Sequence, residues 1–210
     1  MTKSDFDRSV FINCPFDADY EPILKAILFC AMRFGLKPRI ATETSNAGET
    51  RIAKIERLIL ESKFSVHDLS RCQALTAGEH YRMNMPFELG MDFAAARFGT
   101  EDLRTKQLLV LEEQPYRYQA AISDLAGIDI VHHEGKPDLA MKKVRNWLVG
   151  QTILENVGFS KLLGEYEDFQ DWYLKGQIAA GFQGEDFRDF SVPELMTGVE
   201  EWLRAERPRK

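Results

Sequence analysis

Apolar residues along the first 150 positions fall into two alternating rhythms. Val10-Phe11-Ile12-Asn13-Cys14 is a short apolar run stopped by Pro15 and reads as a buried strand. Asp17 and Asp19 then offer helix starts, Pro22 suits a first turn, and Ile23, Leu24, Ile27, Leu28 and Ala31 recur at helical spacing until Gly35. The alternation repeats. Residues 39–42 predict a second strand, Ile52, Ile55, Leu58 and Ile59 a second helix, and residues 64–69 a third strand. A loop over 70–85 is long enough to be functional. Residues 86–98 predict a third helix, opened by Pro86 and packed through Leu89, Phe93 and Ala96. Residues 107–111 and 128–131 predict two more strands, and 139–149 an amphipathic helix carrying Trp147.

Strands alternating with helices are the signature of an open parallel sheet covered on both faces. The expected fold is α/β: a flavodoxin-like five-stranded parallel sheet of order 2-1-3-4-5 over residues 1–150. Over 151–210 the pattern turns helical and aromatic, with Phe159, Tyr166, Phe169, Trp172, Tyr173, Phe182, Phe187, Phe190 and Trp202. This reads as a helical extension that docks on the sheet domain or on a second subunit. Aromatics in such number on an appendage predict a homodimer or larger.

Composition narrows the function classes. Of 210 residues, 44% are hydrophobic and 29% charged, enough to build a core and too little charge for disorder. Lys and Arg number 27 against 33 Asp and Glu, a net charge of −6, so no nucleic-acid duplex is expected as partner. The basic tail over 204–210 is short and reads as a solvated end. The 3 cysteines, Cys14, Cys30 and Cys72, show neither CxxC spacing nor an adjacent His. Neither a disulfide scaffold nor a metal site is expected, and a reducing cytoplasm fits. The N-terminus carries no apolar signal segment, and no stretch is long enough to span a bilayer. A cytoplasmic protein with no membrane partner is the expectation.

In open parallel sheets ligands bind at the carboxyl ends of the strands. That rule selects Asn13-Cys14-Pro15-Phe16-Asp17, the polar loop over 42–51, His67 to Arg71, and Asn84 to Gly90. Glu88 is the most pointed residue there. In the first turn of a helix beginning at Pro86 it would complement the dipole, or it would serve as nucleophile or cation stabiliser in a cleft with Met85, Phe87 and Met91. Asp68, at a strand's carboxyl end, is a ligand contact or a turn cap. Arg51, Arg71 and Arg82 are candidate phosphate contacts, or plain surface charges. His67 reads as a core or loop histidine, while His80, His132 and His133 lack ligand spacing. There is no P-loop Lys and no Gly-x-Ser-x-Gly, so neither a Walker-type NTPase nor an α/β-hydrolase is supported.

Three motifs in order, Val10 to Phe16, Val66-His67-Asp68 and Met85-Pro86-Phe87-Glu88-Leu89-Gly90, resemble those of the nucleoside 2-deoxyribosyltransferase-like superfamily. The resemblance covers roughly residues 8–150 and extends to TIR-like domains, which cleave NAD. The chain looks closest to a bacterial branch, some of whose relatives act in antiphage defence. The resemblance implies that Glu88 is the nucleophile on a sugar's anomeric carbon and that Asp68 lines the same pocket. Deoxyribosyltransferases often hold the base with an Asp six residues before that Glu, where this chain has Arg82. The departure shifts the expected ligand from a free nucleoside to a nucleotide or a dinucleotide such as NAD, with no further cofactor. Asn13, Pro15, Phe16, Arg51, Arg71, Arg82, Asn84 and Phe87 complete the expected binding set. An N-glycosidase or N-glycosyl transferase is the first reading. The alternatives are a nucleotide sensor signalling through the extension and a structural interaction module.

Overall fold

Five parallel strands, β1 (Ser9–Asn13), β2 (Lys37–Ile40), β3 (Phe64–Asp68), β4 (Gln107–Glu112) and β5 (Ile130–His132), form one sheet of order β2-β1-β3-β4-β5. The expected order 2-1-3-4-5 is the one observed, and every pairing is parallel. The computed structural model describes residues 2–72, 82–120, 122–151, 156–188 and 191–206. Most of the 70–85 loop, with His80, lies outside the described residues, as do Phe190 and the last positions of the basic tail.

Among the described residues seven α-helices precede, join or follow the strands: α1 (Lys3–Arg8), α2 (Glu21–Arg33), α3 (Arg51–Leu60), α4 (Asn84–Phe98), α5 (Pro137–Gln151), α6 (Phe159–Ala179) and α7 (Val192–Glu206). The short α1 escapes periodicity because one buried side chain, Phe6, anchors it, with a Thr2–Asp5 capping box at its start. Gly35 ends α2 at φ 76°, a left-handed position that favours glycine. β2 begins two residues earlier than expected. Pro38 lies inside it, and the edge position of β2 tolerates a residue that cannot donate to a ladder.

Side chains on a strand alternate between faces. Val10, Ile12, Phe64, Val66, Leu109 and Leu111 belong to the core beneath α2 and α5, whereas Phe11 packs with Ile55, Leu58 and Ile59 of α3. Met85 and Leu89 of α4 join Val110 on that second side. The sheet is therefore a middle layer, and its carboxyl edge opens between α3 and α4.

The extension docks on its own chain. Phe29 of α2 lies 5.2 Å from the Tyr166 ring, 5.3 Å from Phe169 and 5.7 Å from Trp202. Val157, Leu162, Val192, Leu195 and Val199 continue the core of the sheet domain without a break. Buried Arg33 pairs with Glu165 across the same seam. The aromatics that suggested a second subunit thus mostly turn inward, and Trp172, Leu174 and Ile178 remain exposed. No helix among the described residues is long and apolar enough to cross a membrane.

Candidate functional site

A cleft of ≈ 480 Å³ opens at the carboxyl end of β1, between the starts of α3 and α4. Asn13, Pro15, Phe16, Arg51, Arg82, Asn84 and Glu88 all line it, so most of the expected set converges here. Asp17, Cys14, Met83 and Met85 complete the wall. Phe87, Asp68 and Arg71 do not line it.

Glu88 sits differently from its expected place. α4 starts at Asn84, two residues before Pro86, so Glu88 falls in the second turn and no acidic residue occupies the first. Pro86 fits because the first-turn amides of a helix have no intrahelical partner to lose. Glu88 is 6% exposed, and its carboxylate makes no hydrogen bond among the described residues. Its nearest cation, Arg51 at 3.9 Å, is itself half exposed at the start of α3. Burial raises the Glu88 carboxyl above its ordinary value, and Arg51 only partly opposes this. A carboxylate left unsatisfied at the floor of a cleft is one that a ligand can use.

The floor beneath it is a buried polar chain. The Asn13 amide donates to the Met85 carbonyl at 3.0 Å and to His67 Nδ1 at 3.0 Å. Both of its hydrogens are thereby used, and the network assigns the His67 proton to Nε2, which lies 3.0 Å from Asp92 Oδ2. Asp92 Oδ1 in turn meets Lys106 Nζ at 3.1 Å, with both side chains fully buried. Burial pushes the Asp92 carboxyl up, but the His67 hydrogen bond and Lys106 outweigh it and hold the group below its ordinary value. Burial also lowers the Lys106 ammonium, against the pull of Asp92. Asn13 was expected to hold sugar or phosphate. Its amide hydrogens instead fix the first turn of α4, through Met85, to β1 and β3. Asp92, one helical turn past Glu88, anchors the same helix to the sheet. That i, i+4 spacing was visible in the sequence as a second carboxylate on the Glu88 face.

Asp68 departs most from expectation. Strand alternation sends His67 towards α4 and Asp68 to the α2 side, so adjacent residues join separate networks. Asp68 is fully buried. It accepts from the Tyr20 hydroxyl at 2.6 Å, from the Ser70 amide at 2.8 Å and hydroxyl, and from His133 Nε2 at 2.9 Å. Burial pushes its carboxyl up, yet these hydrogen bonds hold it below the usual range. Gly135 N–H donates to His133 Nδ1 at 3.1 Å, which fixes the ring with its proton on Nε2. Asp68 lies outside the cleft wall and meets it through Tyr20, whose amide donates to Asp17 Oδ1 at 3.1 Å.

The arginines are also placed. Arg82 donates to Asp17 Oδ2 at 3.0 Å, and Arg71 reaches the same oxygen at 3.3 Å from outside the cleft. Arg51 and Arg82 thus face Glu88 and Asp17, two charges of each sign, and an incoming phosphate must compete with Asp17. Phe87 is 62% exposed on the outer side of α4. Burial and the carboxylates around it hold the Cys14 thiol well above its usual range. Among the described residues no group of three His, Cys, Asp or Glu side chains could hold a metal ion. A second cavity of ≈ 620 Å³ shares Pro15, Phe16 and Asp17 and continues past Thr42 to Ser191, Val192 and Pro193. Compared with known protein families, curated proteins and solved structures, the chain matches none.

Proposed function

We propose that this cleft cleaves an N-glycosidic bond in a nucleotide-type ligand, with Glu88 as the nucleophile or cation stabiliser. The observation that carries the reading is Glu88 itself: buried, without a hydrogen bond among the described residues, raised by burial, and aimed into the cleft. The resemblance of the three motifs supplies the class of bond. In the proposed step the C1′–N bond breaks and its electron pair leaves with the base. The Glu88 carboxylate adds to, or balances, the positive C1′, and water or a second base then takes the sugar. Asn13, His67, Asp92 and Lys106 act as positioning residues that fix α4. Arg51, Arg82 and Asn84 contact the phosphate or base.

A second reading is a nucleotide sensor. The neighbouring cavity favours it, because it joins the β1 loop to the start of α7 and so to the extension. The test is incubation of the full chain with NAD and with deoxynucleotides, read by chromatography for free base and by thermal melting. Released base supports the enzyme. Thermal stabilisation without release supports the sensor, and neither effect contradicts both.

A further inference from the structure

Outside the cleft, the extension carries a groove that the proposed reaction does not use. It runs between α6 and α7 and encloses ≈ 550 Å³. Its lining includes small residues, Gly176 on α6, Ala180 at its C-cap and Gly198 on α7. Its walls are the aromatic rings of Trp172, Tyr173 and Phe182. Gly198 is required for this shape, since a Cβ there would meet the Tyr173 ring at 2.5 Å. Trp172 is 41% exposed, a large apolar surface left to solvent.

Among the described residues the charges lining the groove have one sign: Glu194 and Glu201 line it, and no Lys or Arg does. Both glutamates are exposed, and neither has an ion-pair partner among the described residues; Arg204 pairs with Glu200 instead. Burial raises the Tyr173 phenol, and the neighbouring Glu194 charge adds to it. Glu194 and Glu201 are seven residues apart on one helix, a rise of about 10 Å. Two basic residues seven apart on a second helix span the same distance.

We infer that this groove docks a basic amphipathic helix of a partner protein. Its Lys or Arg residues, seven apart, pair with Glu194 and Glu201, and the apolar residues between them seat on Gly176 and Ala180 against Trp172 and Phe182. The small residues let a helix backbone approach closely, the aromatic walls receive its apolar side chains, and the rings also attract its cations. The inference is independent of Glu88 and of the reaction proposed for it.

The test is calorimetry on the full chain with a synthetic helix of about 15 residues carrying Leu on one face and two Lys seven apart. The same peptide with Glu in place of Lys is the comparison. The Lys peptide is expected to bind at least ~10-fold more tightly. Glu194→Lys with Glu201→Lys, and separately Ala180→Trp to fill the groove, should each weaken it at least ~10-fold while leaving the melting temperature near wild type. Equal affinity for the two peptides, no binding of either, or unchanged affinity in both variants overturns the proposal. So does a wild-type dimer that Ala180→Trp dissociates, because the occupant is then a second copy. Tetraethylammonium binding in the groove where the Lys peptide does not would assign it to a small cation instead.

Discussion

Glu88 is held in a state that folding does not favour. Its carboxyl is raised by burial, so the folded chain takes up a proton between the ordinary carboxylate value of about 4.3 and the higher folded value. The contribution of this group to stability is full below that window and is lost as pH rises through it. Glu88→Gln removes the buried charge and should raise the melting temperature at neutral pH, with the gain vanishing below about pH 4. Scanning calorimetry of both proteins from pH 3 to 8 checks this; a variant less stable than wild type at pH 7 counts against it. Asp68 has the opposite sign. Its carboxyl is held below the usual range, so its stabilisation is present above about pH 4 and is lost as pH falls through the folded value. Asp68→Asn should therefore melt well below wild type at pH 7, and the difference should shrink in acid. Urea titrations at pH 7 and pH 3 measure both.

At the scale of elements, α4 is clamped by a chain running from Asn13 to Lys106. Lys106→Met leaves Asp92 buried without its ammonium and should cost about 3–5 kcal/mol. Lys106→Met with Asp92→Leu removes both charges and should recover part of that loss, a coupling that denaturant melts of the three variants quantify. Much of this layer was legible in advance. Runs of apolar residues predicted five strands, most plainly at β1 and β3, which are buried along their whole length, and the flavodoxin-like pattern supplied their order. The start of α4 was not, because Pro86 looks like a first helical residue, whereas Asn84, a residue type that favours the N-cap, is already inside the helix and the N-cap Met83 makes no side-chain cap bond. That two-residue shift moved Glu88 out of the first turn. The convergence of Asn13, Arg51, Asn84 and Glu88 followed from the rule about strand ends, whereas Arg82 lies outside the segments that rule selects. The fate of Asp68 followed from strand alternation, which sends it to the opposite face from His67. His133, its partner, is 65 residues away in sequence, and no local pattern announces a contact at that distance.

For the whole molecule, the extension and the sheet domain share one core around Phe29. Truncation after Gly150 should uncover Phe29 and its neighbours and yield insoluble chain, and Phe29→Ala in the full chain should cost about 3–5 kcal/mol by chemical denaturation. A truncated chain that stays soluble and folded would show the shared core to be dispensable. Assembly is read directly by light scattering, and the inward-turned aromatics no longer require a second copy. The central claim is that a buried glutamate at the carboxyl edge of this sheet breaks an N-glycosidic bond. The most direct measurement is the rate of free-base release from NAD and from deoxynucleotides by wild type and by Glu88→Gln at the same pH. The account predicts release by wild type and a fall of at least ~10³-fold in the variant, with ligand binding retained. Wild-type turnover that survives Glu88→Gln nearly intact would contradict it.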